Sequence, residues 1–198
     1  MQPAPSTDLL ELAPRERPFS VKEYHAMAQS GILTKDDRIE LLDGRIITMA
    51  AIGSSHLHCV NRLTELLSRR VYQTDPPLAI VSVQNPVRLG SFSEPEPDLV
   101  LLDPHTPQDR TPLPQDVLLL IEVADTSLNY DWRVKGPRYA AAGIPEYWIV
   151  ALEEKRIGVF RSPQERGYAE VSTHEPGDAL TIAALPDLPP SPVSEVLG

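Results

Sequence analysis

A chain of 198 residues, 41 % hydrophobic and 23 % charged, has the balance of an ordinary folded domain and is long enough to bury a substantial core. Its net charge of −10 opposes loose, sequence-blind adhesion to a polyanion, while leaving room for a local basic groove. The lone cysteine, Cys59, excludes an internal disulfide framework and a cysteine-built zinc site. No apolar run approaches the ~20 residues of a membrane helix, and the start lacks the basic-then-apolar pattern of a secretory signal. A soluble cytoplasmic protein is expected.

Residues 1–17, opening MQPAP, read as an N-terminal arm. In FSVKEYHAMAQSGIL (19–33) a helix is predicted, with Ser20 and Glu23 forming an S-x-x-E capping box and Gly31 as its stop. DRIELLDGRIITMA (37–50) predicts two strands around an Asp-Gly turn. GSSHLHCVNRLTELLSRRVYQ (53–73) predicts a long helix whose Leu57, Val60, Leu63, Leu67 and Val71 form one buried stripe. Short strands are expected at 78–83 and 86–89, then strongly apolar ones at 98–103 and 117–123, separated by a proline-rich loop. DWRVKGPRYAAAG (131–143) predicts a helix with Asp131 as N-cap and Gly143 at its end. Strands follow at 145–152, 156–161 and 168–173, the first two joined in a hairpin around EEK. Residues 176–198 read as a proline-rich tail outside the domain at 18–175. The alternation of helices with apolar strands gives an α/β fold around a mixed sheet.

Two of the apolar strands carry acids. Asp98 opens one and Glu122 lies near the end of the next, so neighbouring strands bring the two carboxylates to one sheet edge. A buried unpaired carboxylate costs several kcal/mol. A divalent cation satisfies both, and Mg²⁺ takes one or two carboxylates with waters and substrate phosphate; the backbone carbonyl of Val123 adds a third protein ligand. Lys135, on the following helix, is placed to orient a metal-bound water and offset developing negative charge. This is a toolkit for phosphodiester hydrolysis. Taken singly, Asp98 reads as a turn residue and Lys135 as a solvated surface lysine; the combination carries the inference.

The stretch PEPDLVLLD followed by VLLLIEVADTSLNYDWRVKGPRYAAAGIPEYWIV resembles the Uma2 family of restriction-endonuclease-like proteins, within the PD-(D/E)XK nuclease superfamily. The likeness runs back through QNPVRL, GSSHLHCVNRLTELL and RIELLDGRIITM to FSVKEYHAM, covering roughly residues 18–172. It implies a mixed central sheet flanked by helices, with an N-terminal helix and hairpin, and a Mg²⁺-dependent endonuclease for which Mn²⁺ can substitute. It implies Asp98 and Glu122 as metal ligands. Ala124 stands where many superfamily members keep the motif lysine, and Lys135 supplies that lysine from the helix. Glu40 and His56 match family positions near the catalytic edge. Read alone, Glu40 is an exposed strand residue pairing with Arg38 or Arg45, and His56 a satisfied boundary histidine. Gly136-Pro137 inside the predicted helix departs from regular helix chemistry and shifts the aim of Lys135, leaving Arg133 or Arg138 to share its electrostatic role.

The expected partner is nucleic acid, DNA before RNA, met by Arg62, Arg69 and Arg70 on the long helix, by Arg133, Lys135 and Arg138, and by Arg88. The spacing of Arg62, Glu65 and Arg69 equally describes a solvated helix face. A homodimer is expected, because each active site cuts one strand, with the hairpin at 145–161 or the N-terminal helix as contact. The alternative is a catalytically inactive binding or regulatory module on the same fold. A glycosidase reading of the two acids lacks aromatic residues beside them.

Overall fold

The computed structural model describes residues 16–34 and 36–198, so nearly all of the expected N-terminal arm lies outside the described residues. The capping box starts the first helix, α1 (Val21–Gln29): Glu23 N–H donates to Ser20 Oγ at 3.3 Å and Ser20 N–H to Glu23 Oε2 at 2.9 Å. Strands β1 (Ile39–Leu42) and β2 (Arg45–Thr48) form the expected antiparallel hairpin. Its turn residues Asp43 and Gly44 both have positive φ, 51° and 74°, which the Asp-Gly pair adopts readily. Gly44 is also needed for space, since a Cβ there would stand 2.3 Å from that of Pro18.

Helix α2 (Ser54–Val71) buries Cys59, Val60, Leu63, Leu67 and Val71. Leu57, predicted in this stripe, is 48 % exposed; it lies roughly a quarter turn round the helix from the Leu63–Leu67 seam. The stripe packs on a six-stranded sheet ordered β3 (Ile80–Val83), β4 (Leu99–Leu102), β5 (Val117–Ala124), β6 (Glu146–Ala151), β7 (Arg156–Gln164) and β8 (Gly167–His174). Only β5 and β6 pair in parallel, so the sheet is mixed as expected. The uniform hydrophobicity of β4, β5 and β6 reflects burial on both faces. Leu99, Leu101, Leu119 and Ile121 face α2, while Val100, Leu120 and Ala124 face Tyr139, Ile144 and Tyr147. The predicted strand at 86–89 is not one. Pro86 has no N–H, and the next three amides bond to three separate places: Val87 to Pro95 O, Arg88 to Pro112 O and Leu89 to Ser93 O.

The parallel step from β5 to β6 requires a crossover, supplied by one continuous helical segment, α3. It comprises an α turn Leu128–Tyr130, a π turn Asp131–Lys135 and an α stretch Gly136–Ala142. The helix therefore starts three residues before its predicted N-cap, and Asp131 is a buried member of the π turn. The π turn accommodates Pro137: Gly136 N–H bonds to Asp131 O, five residues back, and the proline then occupies the first turn of a fresh α stretch. Gly143 ends the helix at φ 86°, as expected.

Residues 176–198, expected as a tail, instead complete the core. A short pair, β9 (Ala179–Leu180) with β10 (Ser191–Pro192), leads into α4 (Val193–Leu197), and Val193 and Val196 are fully buried among the α2 residues. Cys59 Sγ donates to Val196 O at 3.7 Å, and Arg70 donates to Pro189 O at 2.7 Å. The prolines direct the chain across the sheet; they do not keep it off. No helix among the described residues is long and apolar enough to cross a membrane. Replacing both Val193 and Val196 by alanine is expected to destabilise the fold by about 3–5 kcal/mol in urea titration. A change within about 0.5 kcal/mol is what a solvated tail would give.

Candidate active site

Asp98 immediately precedes β4. Leu99 pairs with Ile121, so the next step along the antiparallel ladder sets Asp98 opposite Glu122, both on the face covered by α3. Val123 N–H donates to Asp98 Oδ2 at 2.8 Å, tying the two strand ends together. From α3, Lys135 reaches down with its ammonium 3.0 Å from Glu122 Oε1 and 3.1 Å from Glu40 Oε2 on β1. Tyr139, one helical step later, donates its hydroxyl to the same Glu122 oxygen at 2.7 Å. His56, in the first turn of α2, places Nε2 3.0 Å from Asp98 Oδ1 and 3.1 Å from Oδ2.

All five side chains singled out in the sequence, and Val123, line one cleft of about 1120 Å³. Glu40, Glu122 and Lys135 are each at least 95 % buried, so Glu40 is no exposed strand residue and Lys135 no solvated lysine. Ala124 lies on the Glu122 face beneath α3, and the ammonium arrives from the helix above it. Gly136-Pro137 leaves that aim intact because the π turn takes up the irregularity. The arginines mostly serve other partners: Arg138 pairs with Asp43, Arg69 with Glu65, Arg88 with Glu94, and Arg70 with Glu195.

Three contributors went unseen in the sequence. Asp131 was read as a cap, yet it is buried in the cleft wall and accepts from Ser127 Oγ at 2.5 Å. Tyr139 was legible from spacing, since a residue four after Lys135 shares its helix face. Glu94, held by His25 at 2.5 Å and Arg88 at 2.9 Å, sits in a loop without periodicity.

Burial, and a surplus of acids over the single buried ammonium, both act on the ionisation of the cleft. Burial pushes the Glu122 carboxyl up to about 8; Lys135 opposes this, while Asp131, Asp98 and Glu40 add to it. Burial likewise lifts Asp131 to about 6. For Lys135 burial is the largest single influence and acts downward, but Glu122, Glu40 and Asp131 together outweigh it and hold the ammonium above its ordinary range. The hydrogen bond to Asp98 raises His56.

Among the described residues no three His, Cys, Asp or Glu side chains form a ready-made metal cluster. The donors expected from the sequence, the Asp98 and Glu122 carboxylates and Val123, all line the cleft, together with further acids such as Glu40, Glu96 and Asp131. That set suits a hard cation which keeps most of its waters, as Mg²⁺ does, and does not suit a metal needing a full protein cage. One further observation supports the fit: Glu40 Oε1 is buried without a hydrogen-bond partner beside this group.

The family Uma2, described as "Putative restriction endonuclease", matches residues 21–191. The chain belongs to the Uma2 family. Its architecture is similar to the crystal structure of a putative nuclease belonging to DUF820 from Anabaena variabilis, with a TM-score of 0.69 over 91 % of this chain and 98 % of that one. At 12 % identity that likeness speaks for the fold. No curated protein matches the chain. The resemblance read from the strand and helix motifs is thus borne out, and the family description supports a nuclease-like function for this Uma2 protein.

The raised Glu122 carboxyl has a stability consequence. In the unfolded chain it ionises near 4.5, and in the folded protein near 8. The folded state therefore holds the extra proton between these values, and stability falls as pH rises through that window. Glu122→Gln keeps an oxygen to accept from Lys135 and Tyr139 but removes the titration. With metal chelated, the variant is expected to gain in Tm on the wild type between pH 5 and pH 8, by about 5 °C at pH 8. A gap independent of pH in thermal melts contradicts this.

Proposed function

We propose that this Uma2 protein is a Mg²⁺-dependent endonuclease that hydrolyses phosphodiester bonds in DNA. The observation that carries the reading is the convergence of Asp98 and Glu122, from adjacent strands, on one cleft with the Lys135 ammonium 3.0 Å from Glu122.

In this reading Asp98, Glu122 and the Val123 carbonyl hold the cation, with Mn²⁺ an effective substitute. Bound there, it supplies an acidified water and neutralises charge at the phosphate. The chain's own residues do the positioning. Tyr139 and Lys135 fix the Glu122 carboxylate, leaving Oε2 for the cation. His56 and the Val123 N–H fix Asp98. Glu40 holds the Lys135 ammonium against the cleft floor, where it orients the attacking water and offsets charge on the phosphoryl oxygens. Cutting both strands of a duplex requires two such sites, so a homodimer belongs to this reading.

A second reading, a catalytically inactive binding or regulatory module, draws on the arginines engaged in internal ion pairs and the net charge of −10, which together leave little basic surface for DNA. A cleavage assay on single- and double-stranded DNA and on RNA, with Mn²⁺ or Mg²⁺, separates the two. The wild type is expected to cut DNA, chelation to abolish cutting, and Asp98→Asn, Glu122→Gln or Lys135→Met each to lower the rate by about 10³-fold or more. Cutting that survives all three substitutions contradicts the assignment, and a wild type that binds but never cuts favours the inactive module.

A further inference from the structure

Among the described residues, five buried side-chain nitrogen or oxygen atoms have no hydrogen-bond partner in the protein. Three of them belong to residues lining the cleft: Glu40 Oε1, His56 Nδ1 and the Tyr130 hydroxyl. Buried polar groups are almost always paired, so a concentration of unpaired ones at one cleft marks where a ligand completes them.

The three differ in what they can offer. Glu40 Oε1 only accepts, which suits a cation and its waters. His56 shares its Nε2–H with Asp98, so Nδ1 donates only when the ring is charged. Tyr130 is a neutral donor under all ordinary conditions, kept protonated by burial and by the nearby Glu40 charge. Its position follows from α3. It directly precedes Asp131 and lies five residues before Lys135, the spacing that the π turn brings onto one face. Lys135 is already committed to Glu122 and Glu40. A cleft this rich in carboxylates repels an anion, and a donor without a protein acceptor has its use where an anionic oxygen must be held.

Resting on the nuclease reading above, we infer that Tyr130 is a substrate-contacting residue: its hydroxyl donates to a non-bridging oxygen of the scissile phosphodiester. It is distinct from the acid–lysine set, and no metal contact is assigned to it.

Tyr130→Phe deletes the hydroxyl and keeps the ring. The hydroxyl has no partner among the described residues, so Tm is expected to stay the same or rise. Mn²⁺ affinity by isothermal titration is expected within about 2-fold of wild type, while kcat for DNA cleavage falls about 10²-fold with KM changed less than about 3-fold. On DNA whose scissile phosphate carries a methyl group in place of the contacted oxygen, wild type and variant are expected to cut at equal rates. A variant that cuts ordinary DNA within about 3-fold of wild type overturns the phosphate role alone. A parallel loss of Tm or of Mn²⁺ affinity overturns it in favour of a structural or metal-supporting hydroxyl. A wild type that binds Mn²⁺ but cuts no nucleic acid defeats the nuclease reading, and the phosphate role with it.

Discussion

One ammonium group shared between two buried carboxylates is the constraint on which the cleft depends. Lys135 comes from a crossover helix, Glu122 from an inner strand and Glu40 from a hairpin outside the main sheet, and the ammonium stands 3.0 Å from Glu122 and 3.1 Å from Glu40. Without the lysine, two carboxylates would face each other in a low-dielectric setting, and neither could ionise without a large penalty. With it, one acid is balanced and an excess of negative charge remains. Burial chiefly, with the neighbouring acids adding to it, lifts Glu122 and Asp131, and in the proposed function a divalent cation would offset the remaining charge.

The same contact explains why irregular backbone is tolerated in α3. A regular helix through 131–137 would leave Pro137 in its interior, clashing with the preceding turn. The π turn places that irregularity where it also sets Tyr130, Asp131 and Lys135 along the cleft wall. Structural expedient and site geometry are thus one feature, and the Asp131 carbonyl that closes the wide turn also accepts from the buried Tyr147 hydroxyl at 3.3 Å.

What the sequence disclosed follows the range of the forces involved. The capping box at Ser20, the Asp-Gly hairpin, the stop at Gly143 and the doubly buried strands are short-range signals, and each appears where it was read. Asp98, Glu122 and Lys135 stood out as acids in apolar strands followed by a helical lysine, Glu40 and His56 came with the family resemblance, and the structure brings all five to one cleft. The missed features depend on distant parts of the chain. Val193 and Val196 are buried only because α2 lies over the sheet beside them. The amides of 87–89 are claimed by two different loops, at Ser93–Pro95 and at Pro112, so their apolar character did not make a strand. Asp131 resembles a helix cap until the turn before it is also helical, and Leu57 matched the stripe in spacing but fell off its edge.

The cleft is acidic, and three buried polar atoms along it, on Glu40, His56 and Tyr130, have no partner among the described residues. The proposed function makes this site dependent on a cation. The most direct test is diffraction from crystals grown with Mn²⁺, using its anomalous signal to locate the ion. The account predicts a single strong peak between the carboxylates of Asp98 and Glu122, within coordination distance of the Val123 carbonyl. Crystals saturated with Mn²⁺ that show the ion elsewhere, or show Lys135 alone filling the space between the acids, contradict it.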